Sequence, residues 1–242
     1  MIITRTGGRK MKENKKLRQC IHYNMSLCGG FFGGYAILNR FEVFGNAQTA
    51  NLMYLTISIV GRDGKDVLIR AFAMVLYMIG TVCTVLIPRF TKWSLYTCSI
   101  IVDAVAVMIL GIMPQSMNSV IALYPVFFAM AFQWNVFANL CGYVSSPIFS
   151  TNNTRQMAIS LTKYLIDKDK ADLVKGKFYA GVLLFFNTGV AIAYIAWKAM
   201  GLKEIYICFI PLASAMILVG YGEGWLVDKF HRAGSSAKQQ QH

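Results

Sequence analysis

Charge is scarce in this chain. Only 14% of its 242 residues are charged, and 11 acidic residues stand against 24 basic ones. With 56% hydrophobic residues and a mean hydropathy of +0.48, this scarcity excludes an ordinary soluble domain and points to an integral membrane protein. Histidine is rarer still: His22, His231 and His242 all lie at or near the chain ends. Metal or acid–base chemistry at membrane depth needs clusters of His or carboxylate, so we expect no enzyme, no metal and no cofactor. The six cysteines stand singly, without a Cys-x-x-Cys pair. They read as small buried hydrophobes rather than a zinc site or disulfides. No glycine-rich loop ending in Gly-Lys-Ser/Thr occurs, which argues against ATP-driven transport by this chain alone. The first apolar run lacks a small-residue cleavage motif, so the basic N-terminus is not read as a cleavable signal.

What is present is positive charge and long apolar runs. The net charge of +13 is not a nucleic-acid signature, because seven basic residues precede the first apolar run and most others lie between runs. That is the pattern of cytoplasmic flanks beside anionic lipid. The organisation reads as a basic cytoplasmic arm over 1–19, a first membrane repeat over 20–113, a second over 114–228 and a polar tail over 229–242. Apolar runs over 21–38, 67–87, 93–112, 120–144, 178–197 and 205–225 predict full spans. Two further segments, 47–60 and 153–166, are shorter. Each would make a helix of about 21 Å, against a hydrocarbon core of about 30 Å. Gly29, Gly30, Gly33 and Gly34 in the first run predict a close helix–helix approach.

A shift of 105 residues lays 44–51 on 149–156, so that Phe44 meets Phe149, Gln48 meets Asn153, Thr49 meets Thr154 and Asn51 meets Gln156. Short, interrupted segments at matching positions of two halves point to a binding site in membrane proteins. Gln48, Thr49, Asn51, Asn153, Thr154 and Gln156 are therefore candidate solute-binding residues. Capping of helix N-termini is their plainer role, and it accounts for one or two per segment. Asp103 is the one carboxylate well inside a predicted full span, where ionisable groups pair or serve function. Arg155 is its natural partner. Gln133 and Asn135 complete the candidates; two residues apart, they point about 200° apart on a helix, so at most one faces a given cavity. Interhelical hydrogen bonding is the alternative for both. Trp93, Trp197 and Trp225 sit at run ends as interfacial anchors.

Thr49, Ala50 and Asn51 stand where the YoaK family of bacterial inner-membrane proteins, domain of unknown function 1275, carries a Thr-Gly-Asn triplet. Ala131 to Asn135 resembles that family's glutamine motif, and Thr154, Arg155 and Gln156 its second triplet. The chain resembles the family over 21–229. It departs at Gly33 and Gly34, where the family often has Asp-Ala, and at Ala50 and Arg155, where it has glycine. The resemblance implies a multi-pass protein of the bacterial cytoplasmic membrane and no particular activity.

The expected fold is an all-α integral membrane protein of two repeated halves, each with three full transmembrane helices and one short helix. If the short helices are re-entrant, there are six spans and an inverted repeat; if they cross, eight spans and a parallel one. The distribution of basic residues fits both and puts both termini in the cytoplasm. The N-termini of the short helices should face each other across a polar cavity near the midplane. Their unpaired N–H groups and partial positive charge suit a small polar or anionic solute. The function expected is a secondary transporter or channel-like permease, with the lipid bilayer as surroundings and no nucleic-acid partner. The rival is a non-transporting membrane scaffold or sensor, and a homo-oligomer stays open.

Overall fold

The computed structural model describes residues 14–40 and 43–225, and among them it is all helical, without a strand. Most of the basic arm, and the tail from Lys229 onward, lie outside the described residues.

The elements follow in order. Helix α1 (Lys15–Asn39) starts on Asn14, whose side chain accepts from the Leu17 amide. Helix α2 (Gln48–Val60) is the first short helix. A tight turn leads to α3 (Gly64–Phe90), capped by Asp63, and then to α4 (Leu95–Ile112), capped by Ser94. The run over 120–144 is not one helix. It breaks at Leu123 into α5 (Ser119–Ala122) and α6 (Tyr124–Phe137), because Pro125 can sit only in the first turn of a helix, and irregular backbone follows α6. Helix α7 (Thr151–Asp167) is the second short helix and is longer than its predicted segment at both ends. Helix α8 (Lys170–Met200), capped by Asp169, is the longest. The last predicted span is split into a 3-10 turn (Gly201–Cys208) and α9 (Phe209–Gly222).

Among the described residues, three stretches hold a helix long and apolar enough to cross a membrane: Gly64–Phe90, Leu95–Ile112 and one within Lys170–Gly222. Six were expected. Helices α6 and α9, at 14 residues each, reach only about 21 Å. Leu68, Phe72, Met78, Val85 and Phe90 of α3 are exposed, while Arg40, Asn46, Asp103, Gln133 and Glu204 are buried, a distribution that suits a membrane protein.

Packing is set by small residues. The chief partner of α1 is α8. A Cβ on Gly30 would fall 1.9 Å from the Phe186 carbonyl oxygen, and one on Gly189 would fall 2.1 Å from that of Leu27, so the two backbones touch. Helix α3 rests on α6, α4 on α6 and α9, and α1 on α9 as well. The short helices lie outside this core, α2 against α3 and α7 against α8.

Candidate functional site

The two polar connectors that precede the short helices meet at α1. Asn46, fully buried, donates from Nδ2 to the Gly29 carbonyl at 2.8 Å and to the Ile148 carbonyl at 2.9 Å. One amide thus ties α1, the first connector and the second. The close approach depends on glycine: a Cβ on Gly29 would sit 2.2 Å from the Pro147 carbonyl oxygen, and one on Gly33 would sit 3.0 Å from the Phe44 ring. One turn earlier on α1, Gln133 of α6 donates from Nε2 to the Met25 carbonyl at 2.9 Å. Asn46 Oδ1 and Gln133 Oε1 are both buried without a partner. Two free amide oxygens therefore lie on successive turns of one strip of α1.

The first short helix adds to this. Asn51 donates to Gln48 Oε1 at 3.0 Å and to the Arg70 carbonyl of α3 at 3.1 Å. That leaves Asn51 Oδ1 and Gln48 Nε2 buried and unused. Capping does not account for these residues. Neither α2 nor α7 starts on a side-chain cap bond, whereas α1, α3, α4 and α8 each do. The first amides of both short helices keep their partial positive charge unanswered by a side chain.

The second short helix differs. Asn153 spends all four hydrogen-bonding positions on its own connector: Oδ1 accepts from Ser145 Oγ and the Ser146 amide, and Nδ2 donates to the Ser146 and Phe149 carbonyls. It shapes the connector and has nothing left for a ligand. Thr49, Thr154 and Arg155 are exposed, and Gln156 is half-buried. Asn135 is exposed and reaches Thr81 of α3 at 3.3 Å, while Gln133 points inward, so only one of that pair faces the interior. Asp103 does not pair with Arg155. It is wholly buried on α4 with both oxygens unpartnered, and the exposed Arg155 sits on a helix that packs on α8. The indole of Trp134 meets the Phe149 ring edge-on at 5.0 Å.

Several polar residues that the sequence reading passed over are central. His22 is not terminal in the fold. It is buried in α1, with Nε2 2.9 Å from Ser145 Oγ. The serine proton goes to Asn153, so the imidazole N–H donates to the hydroxyl, and the group is a staple rather than a nucleophile with its base. Arg40 is wholly buried and donates to the Pro114 and Met113 carbonyls and the Tyr35 hydroxyl. Glu204, also buried, accepts from Asn39 at 2.7 Å. Asn46 stands inside the repeated stretch 44–51, which was the available signal for it; Arg40 and Glu204 stand outside that stretch.

A cavity of about 660 Å³ opens elsewhere, at the N-terminal end of α4, between Trp93, Ser94, Cys98, Val102, Glu223 and Trp225.

In comparison with known proteins, the model of a family described as protein of unknown function (DUF1275) matches residues 21–218. No curated protein and no solved structure matches the chain.

Proposed function

We propose that this chain, which belongs to the DUF1275 family, is a small secondary transporter or channel-like permease for a small polar solute. The observation that carries the reading is the junction at Asn46, where the connectors ahead of both short helices are held together against α1. Polar backbone at membrane depth must be buried in protein or line a watery cavity. Around that junction are unused acceptors on Asn46, Asn51 and Gln133, an unused donor on Gln48 and two uncapped helix N-termini. A solute with both donor and acceptor groups, or an anionic group at the helix ends, suits that set.

A twofold relation of the halves belongs to the same reading. Packing supports it: α1 lies on α8 as α6 lies on α3, α2 on α3 as α7 on α8, and α1 on α9 as α6 on α4. Exchange of the two halves maps the members of each of these three pairs onto one another. The turns after the short helices also match, since Arg62 and Lys168 both adopt left-handed backbone, with φ of 59° and 58°. Rocking of one half against the other would then open the junction to each side in turn.

The test is uptake of a panel of labelled small polar and anionic solutes into proteoliposomes. Asn51→Leu and Gln48→Leu, which remove the unused acceptor and donor, should lower uptake about tenfold, the effect of one lost hydrogen bond, with monodispersity unchanged. Parental rates in both variants, or no uptake of any solute, would return the chain to the scaffold or sensor class.

A further inference from the structure

Helices α4 and α9 lie side by side, and the described residues place their buried carboxylates, Asp103, Glu204 and Glu223, along this one seam. Glu223, just past the end of α9, accepts from Ser94, the cap at the start of α4. Asp103 stands near the middle of α4. Glu204, in the 3-10 turn that leads into α9, lies at the other end: a Cβ on Gly111 of α4 would collide with the ring of nearby Tyr206, and Tyr35 donates to the Leu110 carbonyl. Three oxygens along this file, both of Asp103 and Oε2 of Glu204, are buried and unpartnered, as is the Ser99 hydroxyl one turn from Asp103 toward Glu223. Other ionisable groups border it. Cys28 of α1 lies between Asp103 and Cys208, Tyr35 lies between Arg40 and Glu204, Tyr96 lies between Arg18 and Glu223, and Cys98 also adjoins Glu223. The cavity of about 660 Å³ opens at the Glu223 end and climbs α4 to Val102, the residue before Asp103.

Carboxyls spaced through a membrane-spanning interface, each wholly or largely out of water, are costly, so such groups pair or mark a charge pathway. We propose that this seam carries protons, with Glu223, Asp103 and Glu204 as successive carriers, so that the proton is the coupling ion of the transporter. The inference rests on the transport reading for its membrane, and its path is separate from the connector junction. A proton enters the cavity, is taken by the Glu223 carboxylate and passes by way of cavity water and the Ser99 hydroxyl to Asp103. It moves on over a similar length of α4 to Glu204, again by way of water, as Asp103 returns to its carboxylate; Glu204 then releases it to the opposite side and is itself a carboxylate again, and nothing is oxidised or reduced. Nine residues separate Ser94 from Asp103, about 13 Å along the helix, so water must bridge that step. The cavity supplies room for that water along α4 from Ser94 to Val102.

The test uses the full chain in phosphatidylethanolamine–phosphatidylglycerol vesicles loaded with the pH dye pyranine, driven by a potassium diffusion potential. The parental protein should acidify the lumen faster than protein-free vesicles. Asp103→Asn, Glu204→Gln and Glu223→Gln should each cut that rate about tenfold or more, and Asp167→Asn, at an exposed carboxylate, should leave it unchanged. A second readout needs no variant. A membrane-permeant carbodiimide, which attacks carboxylic acids in apolar surroundings, should block the parental flux and leave its adduct on the peptide that contains Asp103. Flux no faster than in empty vesicles, flux that survives all three substitutions, or a block with no adduct on Asp103 would each overturn the proton path. Solute uptake is read separately, so the transport reading could survive any of these results.

Discussion

Arg40 is among the largest wholly buried side chains, and no carboxylate among the described residues lies within ion-pair distance. Its guanidinium is held by oxygens instead, at 2.9 Å from the Pro114 carbonyl, 3.2 Å from that of Met113 and 3.3 Å from the Tyr35 hydroxyl. These carbonyls follow the C-terminus of α4, where the helix is partly negative. Arg40→Met keeps the bulk and removes the donors. It should cost about 3 kcal/mol in thermal unfolding of the purified protein. Arg40→Lys should recover less than half, because an ammonium cannot fork between carbonyls. At Gly29 the argument is steric. Gly29→Ala drives a methyl into the Pro147 carbonyl and should destabilise by about 1–3 kcal/mol, an overpacking cost, by the same measurement. The glycine was legible in the sequence because clustered small residues in an apolar run have few other uses. The arginine was not: the two carbonyls that hold it lie over 70 residues away, and a base at the end of an apolar run looks like a solvated flank.

At the scale of elements, both short helices were legible because polar residues bracket them and set their length. The predicted 47–60 became Gln48–Val60. The second, 153–166, became Thr151–Asp167, because apolar runs do not report the polar residues that complete a helix at its ends. The break at Leu123 had one signal, Pro125: the apolar run continues on both sides of it, and hydrophobicity does not say where the backbone leaves the helix. The turn between α7 and α8 offers a test. Lys168 holds φ at 58°, a region that costs a side-chain residue about 1 kcal/mol and glycine almost nothing. Lys168→Gly should therefore raise the unfolding free energy by up to about 1 kcal/mol, less the entropy that glycine adds to the unfolded chain. A fall in the melting temperature would mean that the lysine's contact with the Tyr164 ring, at 5.8 Å, outweighs the backbone term.

For the whole molecule, the outstanding prediction is topological. Helix α2 has 13 residues, about 20 Å of rise, which is short of the hydrocarbon core. A cysteine at position 62, Arg62→Cys in a cysteine-free background, should react with an impermeant maleimide added outside intact cells. Reaction only after lysis would mean that α2 crosses and the spans number eight. The packing order also governs how the protein is made. Helix α1 leaves the ribosome first, yet its main partner is α8, which begins at Lys170. Residues 40–169 must be synthesised before the glycine face of α1 can close, a wait on the order of ten seconds at bacterial or eukaryotic elongation rates. Through that interval Gly30, Asn46 and Gln133 have no finished core around them. The hairpin α2–α3, by contrast, is complete as soon as it emerges. Nascent chains stopped before α8 should thus hold a protected hairpin and an unprotected first helix, and the quality-control machinery of the membrane will meet α1 as an orphan in every round of synthesis.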